Sequence, residues 1–111
     1  MTGVRASLKR ADMVVFASPV YWFDISAQLK LVIDRLYAFA GCGFSFSRVA
    51  LLLNSGSNGV YTAAISAYKD MNAYLNWEDM GIITIPNVAE KGDMARNPKL
   101  AEVRAFGESL K

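Results

Sequence analysis

The stretch that decides the fold is Ala11–Tyr37, ADMVVFASPVYWFDISAQLKLVIDRLY. An apolar run, Met13–Ala17, stops at Ser18-Pro19, the aromatic pair Tyr21-Trp22 follows, and a helix pattern then begins. The stretch reads as a buried strand that ends in a short aromatic loop feeding a helix. In open α/β sheets, ligands sit outside the carboxyl ends of strands, so this loop is where a flat ligand would be held.

Two further runs resemble the first: Val49–Leu53 (VALLL) and Ile82–Ile85 (IITI). None of the three alternates with polar residues. Strands covered on both faces read this way, which is the pattern of a parallel sheet. Helical periods lie between and after them. Leu29, Val32, Ile33, Leu36, Tyr37 and Ala40 recur at i, i+3, i+4, i+7 and i+8. Asp24 or Ser26 can cap this helix, and Gly41 and Gly43 can end it. A second helix is expected over about Val60–Trp77 and a third from Pro98 to about Leu110, with Leu100, Val103 and Phe106 inward. Residues 1–10 read as the end of a helix or a frayed arm. The order β-α-β-α-β-α predicts right-handed βαβ units in one domain spanning 1–111.

Composition narrows the function. The chain has 111 residues, 53% hydrophobic and 20% charged, which is enough apolar material for a core. A net charge of +2 with no basic run gives no reason to expect nucleic acid. The apolar runs fall well short of the roughly 20 residues that span a bilayer, and the N-terminus has no secretory h-region, so neither membrane nor export is expected. Cys42 is the only cysteine, so no internal disulfide forms and a reducing cytoplasm is the expected compartment. With no histidine, a Ser-His-Asp triad, a Cys-His pair and a His metal site are excluded within this chain.

Each strand is followed by a loop of special composition. Ser18-Pro19-Val20-Tyr21-Trp22-Phe23 offers backbone donors and acceptors beside flat apolar rings, the combination a planar heteroaromatic ligand needs. The competing reading is that Tyr21 and Trp22 merely close the end of the core, and the residues alone leave both open. Asn54-Ser55-Gly56-Ser57-Asn58-Gly59 leads into a helix N-terminus, where N–H groups can hold an anion or a ring carbonyl. It lacks the Gly-Lys-Ser/Thr end of a Walker motif and is not G-x-G-x-x-G, and a plain flexible turn reads equally well. Pro86–Asp93, with Glu90, Lys91 and Asp93, reads as a solvated connection. Cys42 has nothing basic beside it to lower its pKa. In a parallel sheet the three loops share the carboxyl edge and converge on one crevice.

With these residues in view, the chain resembles the NADPH-dependent FMN reductase family of the flavodoxin-like fold. The resemblance lies in Ala11-Asp12, in Ser18-Pro19-Val20-Tyr21-Trp22, and in Ser26-Ala27-Gln28-Leu29-Lys30 followed by Ile33-Asp34-Arg35-Leu36-Tyr37. It continues in Glu90-Lys91-Gly92-Asp93 and Asn97-Pro98. It implies a three-layer αβα sheet, of which this chain would hold strands three, four and five of the order 2-1-3-4-5. It also implies FMN as cofactor, NAD(P)H as electron donor and a small-molecule acceptor. The ring contacts would come from Pro19, Val20, Tyr21 and Trp22, flanked by Ser18 and Phe23, and from Ser55, Gly56 and Gly59. Phe23-Asp24 departs from the small residues usual there and would narrow the pocket.

The family's first strand and its Ser-rich phosphate loop have no counterpart here. The resemblance therefore implies that FMN binds weakly to this chain alone, since phosphate contacts are charge-assisted. It also makes Met13–Ala17 an exposed apolar edge. The expectation is a fragment, or a chain completed by a partner, with homo-oligomers as in the family. The alternative function is a non-catalytic half-domain that serves as an oligomerisation module. A receiver domain is discounted because the strand ends read Ser18, Asn54 and Pro86 rather than acidic residues and lysine. A Rossmann NAD domain is discounted because no strand leads into G-x-G-x-x-G.

Overall fold

The computed structural model describes residues 2–38, 43–88 and 94–110. Cys42, Gly41, the far end of the first predicted helix and the Glu90-Lys91-Gly92-Asp93 segment lie outside them. The elements are α1 (Thr2–Lys9), β1 (Met13–Tyr21), β2 (Asp24–Ile25), α2 (Ala27–Leu36), β3 (Arg48–Asn54), α3 (Thr62–Leu75), β4 (Glu78–Ile85), a 3-10 turn (Met94–Arg96) and α4 (Leu100–Ser109). They form one four-stranded sheet in the order β2-β1-β3-β4. β1–β3 and β3–β4 are parallel, and β1–β2 is antiparallel. This is the α/β architecture expected from the alternating pattern, with one strand that the pattern did not show.

Both crossovers, β1-α2-β3 and β3-α3-β4, step the same way across the sheet, so right-handed connections place α2 and α3 on one face. The core lies beneath them. Opposed residues of a parallel ladder share a face, and the pairs Val14–Val49, Phe16–Leu51 and Ser18–Leu53 set it. Phe16, Val49, Leu51 and Leu53 are buried there with Leu36 of α2 and with Ala64 and Tyr68 of α3. Phe44, Phe46 and Trp77 close one end, with ring centroids 5.0–5.4 Å apart. Ser26 caps α2, its Oγ accepting from the Leu29 N–H at 3.2 Å, which settles the choice between Asp24 and Ser26. α3 ends at Asn76 in the left-handed conformation (φ 56°), a place asparagine tolerates.

α4 returns to the opposite face and packs at Gly81. A Cβ there would lie 2.3 Å from Phe106 Cε2, and φ is +150°, so both space and backbone call for glycine. Ala50, Ile83 and Ile85 are buried on the sheet. Double coverage does not extend to β1. Val15 is 46% exposed and Ala17 is also exposed, while Phe16 and Ser18 between them are buried. The expectation of two covered faces thus holds for β3 and fails for β1. Along Met13–Pro19, β1 ladders with β3, and β2 pairs only with Val20 and Tyr21. Among the described residues, no helix is long and apolar enough to cross a membrane.

Candidate functional site

The strand does not stop at Ser18-Pro19. β1 runs through both to Tyr21, and its ladder with β3 continues to the pair Pro19–Asn54. Proline lacks only the N–H, so a strand passes through it wherever that one donor is not required. The chain then turns back on itself. Val20 pairs with Ile25 and Tyr21 with Asp24, which leaves Trp22 and Phe23 as the entire turn. Both have positive φ, 52° and 74°, the pattern of a type I′ hairpin turn. Such a conformation costs a non-glycine residue about 1–2 kcal/mol. The expected aromatic loop is therefore a hairpin with an aromatic tip.

Ser18 anchors this hairpin. It is buried, its Oγ accepts from the Ser26 N–H at 2.8 Å, and it donates to the Pro19 carbonyl at 2.7 Å. The side chain that ends the apolar run thus ties β1 to the residue that caps α2. Its role is positioning, since both hydrogen bonds are internal.

The glycine loop lies at the same edge. Ser55 N–H donates to Ile85 O at 3.0 Å, and Ser55 O accepts from Val88 N–H at 2.9 Å. All three parallel strands therefore end side by side. Ser55 is buried, and its Oγ donates to the Ser57 carbonyl. That hydroxyl proton being used, the Tyr61 hydroxyl at 2.5 Å is the donor to Ser55 Oγ. Tyr61 is buried at the start of α3 and braces the loop from below.

Tip and loop face each other across a cleft of about 250 Å3 lined by Val20, Trp22, Phe23, Ser55, Gly56, Ser57 and Val60. Of the residues singled out in the sequence, Val20, Trp22, Phe23, Ser55 and Gly56 meet here. Ser18 and Pro19 stand behind the wall in β1. Tyr21 is exposed and Gly59 (φ +75°) is a turn residue, and neither lines the cleft. Ser57, Val60 and Tyr61 were not singled out. The signal for Tyr61 was available, an aromatic hydroxyl six residues after the loop's first serine and directly before the α3 pattern.

Among the described residues the lining carries no charged side chain, and what they offer suits a flat group with one polar edge, rings against Trp22 and Phe23 and hydrogen bonds against the serine-glycine loop. Among the described residues, no group of three or more metal-ligating side chains occurs. Among the described residues, the displaced proton equilibrium lies elsewhere. Burial, aided by a 2.8 Å hydrogen bond to Asp79 Oδ1, holds the Tyr68 hydroxyl protonated well above the usual tyrosine range. It braces α3 against β4 and does not touch the cleft.

Comparison with known proteins shows the family and the fold. FMN-dependent NADH:quinone oxidoreductase of Bordetella parapertussis is 32% identical over a 120-residue alignment covering 95% of this chain and 56% of that protein. The protein of that name from Exiguobacterium sp. is 27% identical, with 95% and 54% covered. The iron-sulfur flavoprotein of Archaeoglobus fulgidus is 28% identical over 76 residues, 68% of this chain and 32% of its own length. The chain spans about half the length of the quinone oxidoreductases it matches (54–58%). The solved structure of Trp repressor binding protein from Bacillus subtilis superposes with a TM-score of 0.81 at 20% identity, covering 99% of this chain and 75% of that one, which shows a shared flavodoxin-like fold. The family model described as NADPH-dependent FMN reductase matches residues 1–91, the span that contains the hairpin tip, the glycine loop and the sheet edge carrying them, and the chain belongs to that family.

Proposed function

We propose that this chain carries the ring-binding portion of an FMN-dependent NAD(P)H oxidoreductase of the flavin or quinone reductase type. One observation carries the reading: an aromatic hairpin tip faces a serine-glycine loop across a single cleft at the carboxyl edge of a parallel sheet. The residues present fit part of FMN. At about 250 Å3 the cleft is smaller than the ~300–1,000 Å3 of most ligand pockets, a size for the isoalloxazine ring rather than the whole nucleotide. Among the described residues, no lining residue is a lysine or arginine that would pair with the phosphate.

The isoalloxazine, when bound, supplies hydride transfer from NAD(P)H to a small-molecule acceptor. The chain's own groups bind and orient. Trp22 and Phe23 cover the ring, Val20 and Val60 exclude water, and the Ser55–Ser57 loop, braced by Tyr61, meets the polar edge. Ser18 and Pro19 hold the hairpin in register. The described lining residues include no acid or base, so their part is to bind and orient the ring rather than to move a proton. The setting is a homo-oligomer in the cytoplasm.

Equilibrium dialysis of the purified chain against FMN and riboflavin tests the binding. The expected result is binding of both flavins, with FMN held no more than a few-fold tighter. A chain that leaves excess FMN wholly in the free fraction ends the reading. NADH oxidation with added FMN and a soluble quinone tests turnover.

A second reading, a non-catalytic oligomerisation module, is favoured by the exposed Leu31 on α2 and by the exposed Tyr37 just beyond it. It is chosen if Leu31→Glu halves the mass seen by light scattering while Trp22→Ala leaves flavin uptake unchanged.

A further inference from the structure

A hairpin turn that needs two left-handed residues ordinarily uses Asn-Gly or Asp-Gly, because glycine has no Cβ to clash and asparagine tolerates the conformation. Here the two places hold the bulky Trp22 and Phe23. The surroundings force the turn all the same. Val20–Ile25 and Tyr21–Asp24 pair below it, Ser26 N–H is tied to Ser18 Oγ at 2.8 Å, and Ile25 N–H donates to Asp24 Oδ1 at 2.7 Å. The core gains little in return. Trp22 is 92% exposed, and Phe23 is exposed as well. The two rings meet edge to face at 6.0 Å, and both line the cleft opposite Ser55, Gly56 and Ser57. Two large rings are thus carried where the backbone least favours them and where burial does not compensate, beside a cleft of ring size.

We propose that the Trp22-Phe23 tip is a strained aromatic clasp: folding stability is given up at this turn so that two rings stand preset against a planar ligand. The inference rests on the cleft being a ring site and adds how its affinity is set. Strain at a site is retained where the surrounding structure overdetermines it and function uses it. With two aromatic rings as its largest described lining groups, the clasp discriminates by ring area: a fused tricyclic ring is held, and a single-ring nicotinamide is not.

The test replaces Trp22→Asn together with Phe23→Gly in the full chain, giving the turn its preferred residues. Thermal unfolding and equilibrium dialysis against riboflavin, which has the ring and no phosphate, are read together. The variant is expected to melt about 4 °C higher or more, since each kcal/mol of relieved strain moves a domain of this size by roughly that much. Its riboflavin dissociation constant is expected to rise about tenfold or more, in line with the loss of one to two stacking contacts. Trp22→Phe, which keeps an aromatic ring, is expected to stay within about threefold of the parent.

A variant that melts no higher overturns the strain. A variant that holds riboflavin as tightly as the parent overturns the role of the rings. Equal uptake by parent and variant removes the clasp alone, whereas a parent that takes up neither flavin removes the clasp and the flavin reading together.

Discussion

β3 and the β1–β2 hairpin end side by side at one edge of the sheet and are built on opposite terms. In β3, Arg48–Asn54, every local preference agrees with the fold. Aliphatic residues occupy the strand, and Val49, Ala50, Leu51 and Leu53 are buried. At the hairpin the preferences conflict. A proline sits inside the strand, bulky aromatics take left-handed turn positions, and the largest ring of the region stands in solvent. Proteins depart from local consistency mostly at functional sites, and the contrast is what the proposed ring site at the hairpin would account for.

The contrast can be broken or sharpened by substitution. Leu53→Ala strikes the consistent region at one of its two largest fully buried side chains and is expected to cost about 3 kcal/mol in denaturant unfolding. Ser18→Ala removes the tie between the regions. It leaves the buried Ser26 N–H without its 2.8 Å acceptor and is expected to cost about 2 kcal/mol, with loosening of the hairpin seen as faster amide exchange at Val20 and Tyr21.

Tyr68→Phe acts on the core brace away from the cleft and is expected to cost about 1 kcal/mol at neutral pH without altering flavin uptake. Its pH dependence has a definite sign. The folded state keeps the Tyr68 proton beyond the pH, about 10, at which the unfolded chain releases it. The folded state therefore binds more protons there, and stability falls as pH rises above about 10. The Phe variant is expected to lose less stability than the parent between pH 10 and 11.5. An identical decline in both would show that Tyr68 is not the group responsible. Phe23→Gly has the smallest effect and the opposite sign, a gain of about 0.5–1 kcal/mol at a turn position glycine prefers.

These regions also differed in how much the sequence revealed. The runs Val49–Leu53 and Ile82–Ile85 were legible because unbroken aliphatic stretches have few alternatives to a covered strand, and the parallel βαβ arrangement followed from alternation with helical periods, whereas the flavodoxin-like order came with the family resemblance. β1 was cut short at Ser18-Pro19 because proline commonly ends a strand, and pairing in space overruled that local cue. β2 was invisible. Two residues carry no periodicity, and Trp-Phe lacks the Asn-Gly signature of a tight hairpin. Exposure along β1 was misread for a related reason. An apolar run shows that a strand is buried somewhere, but only the arrangement of helices shows that Val15 and Ala17 are left uncovered while Phe16 is not. Of the cleft, Val20, Trp22, Phe23, Ser55 and Gly56 could be named from composition, since rings and glycines announce themselves. Tyr61, behind the loop, offered a signal in its hydroxyl, but only the structure shows that this hydroxyl is hydrogen-bonded to Ser55, six residues earlier in the chain.

The central claim is that the hairpin tip and the glycine loop together hold a flat ring. The chain has two tryptophans, one 92% exposed at the tip and one 8% exposed in the core, so their indole N–H signals in a nitrogen-15 NMR spectrum are separate reporters. Riboflavin titrated into the labelled chain is predicted to shift the Trp22 signal together with the amides of Ser55, Gly56 and Ser57, leaving Trp77 in place. A titration in which Trp22 stays fixed, or in which Trp77 moves and the loop does not, would contradict the account.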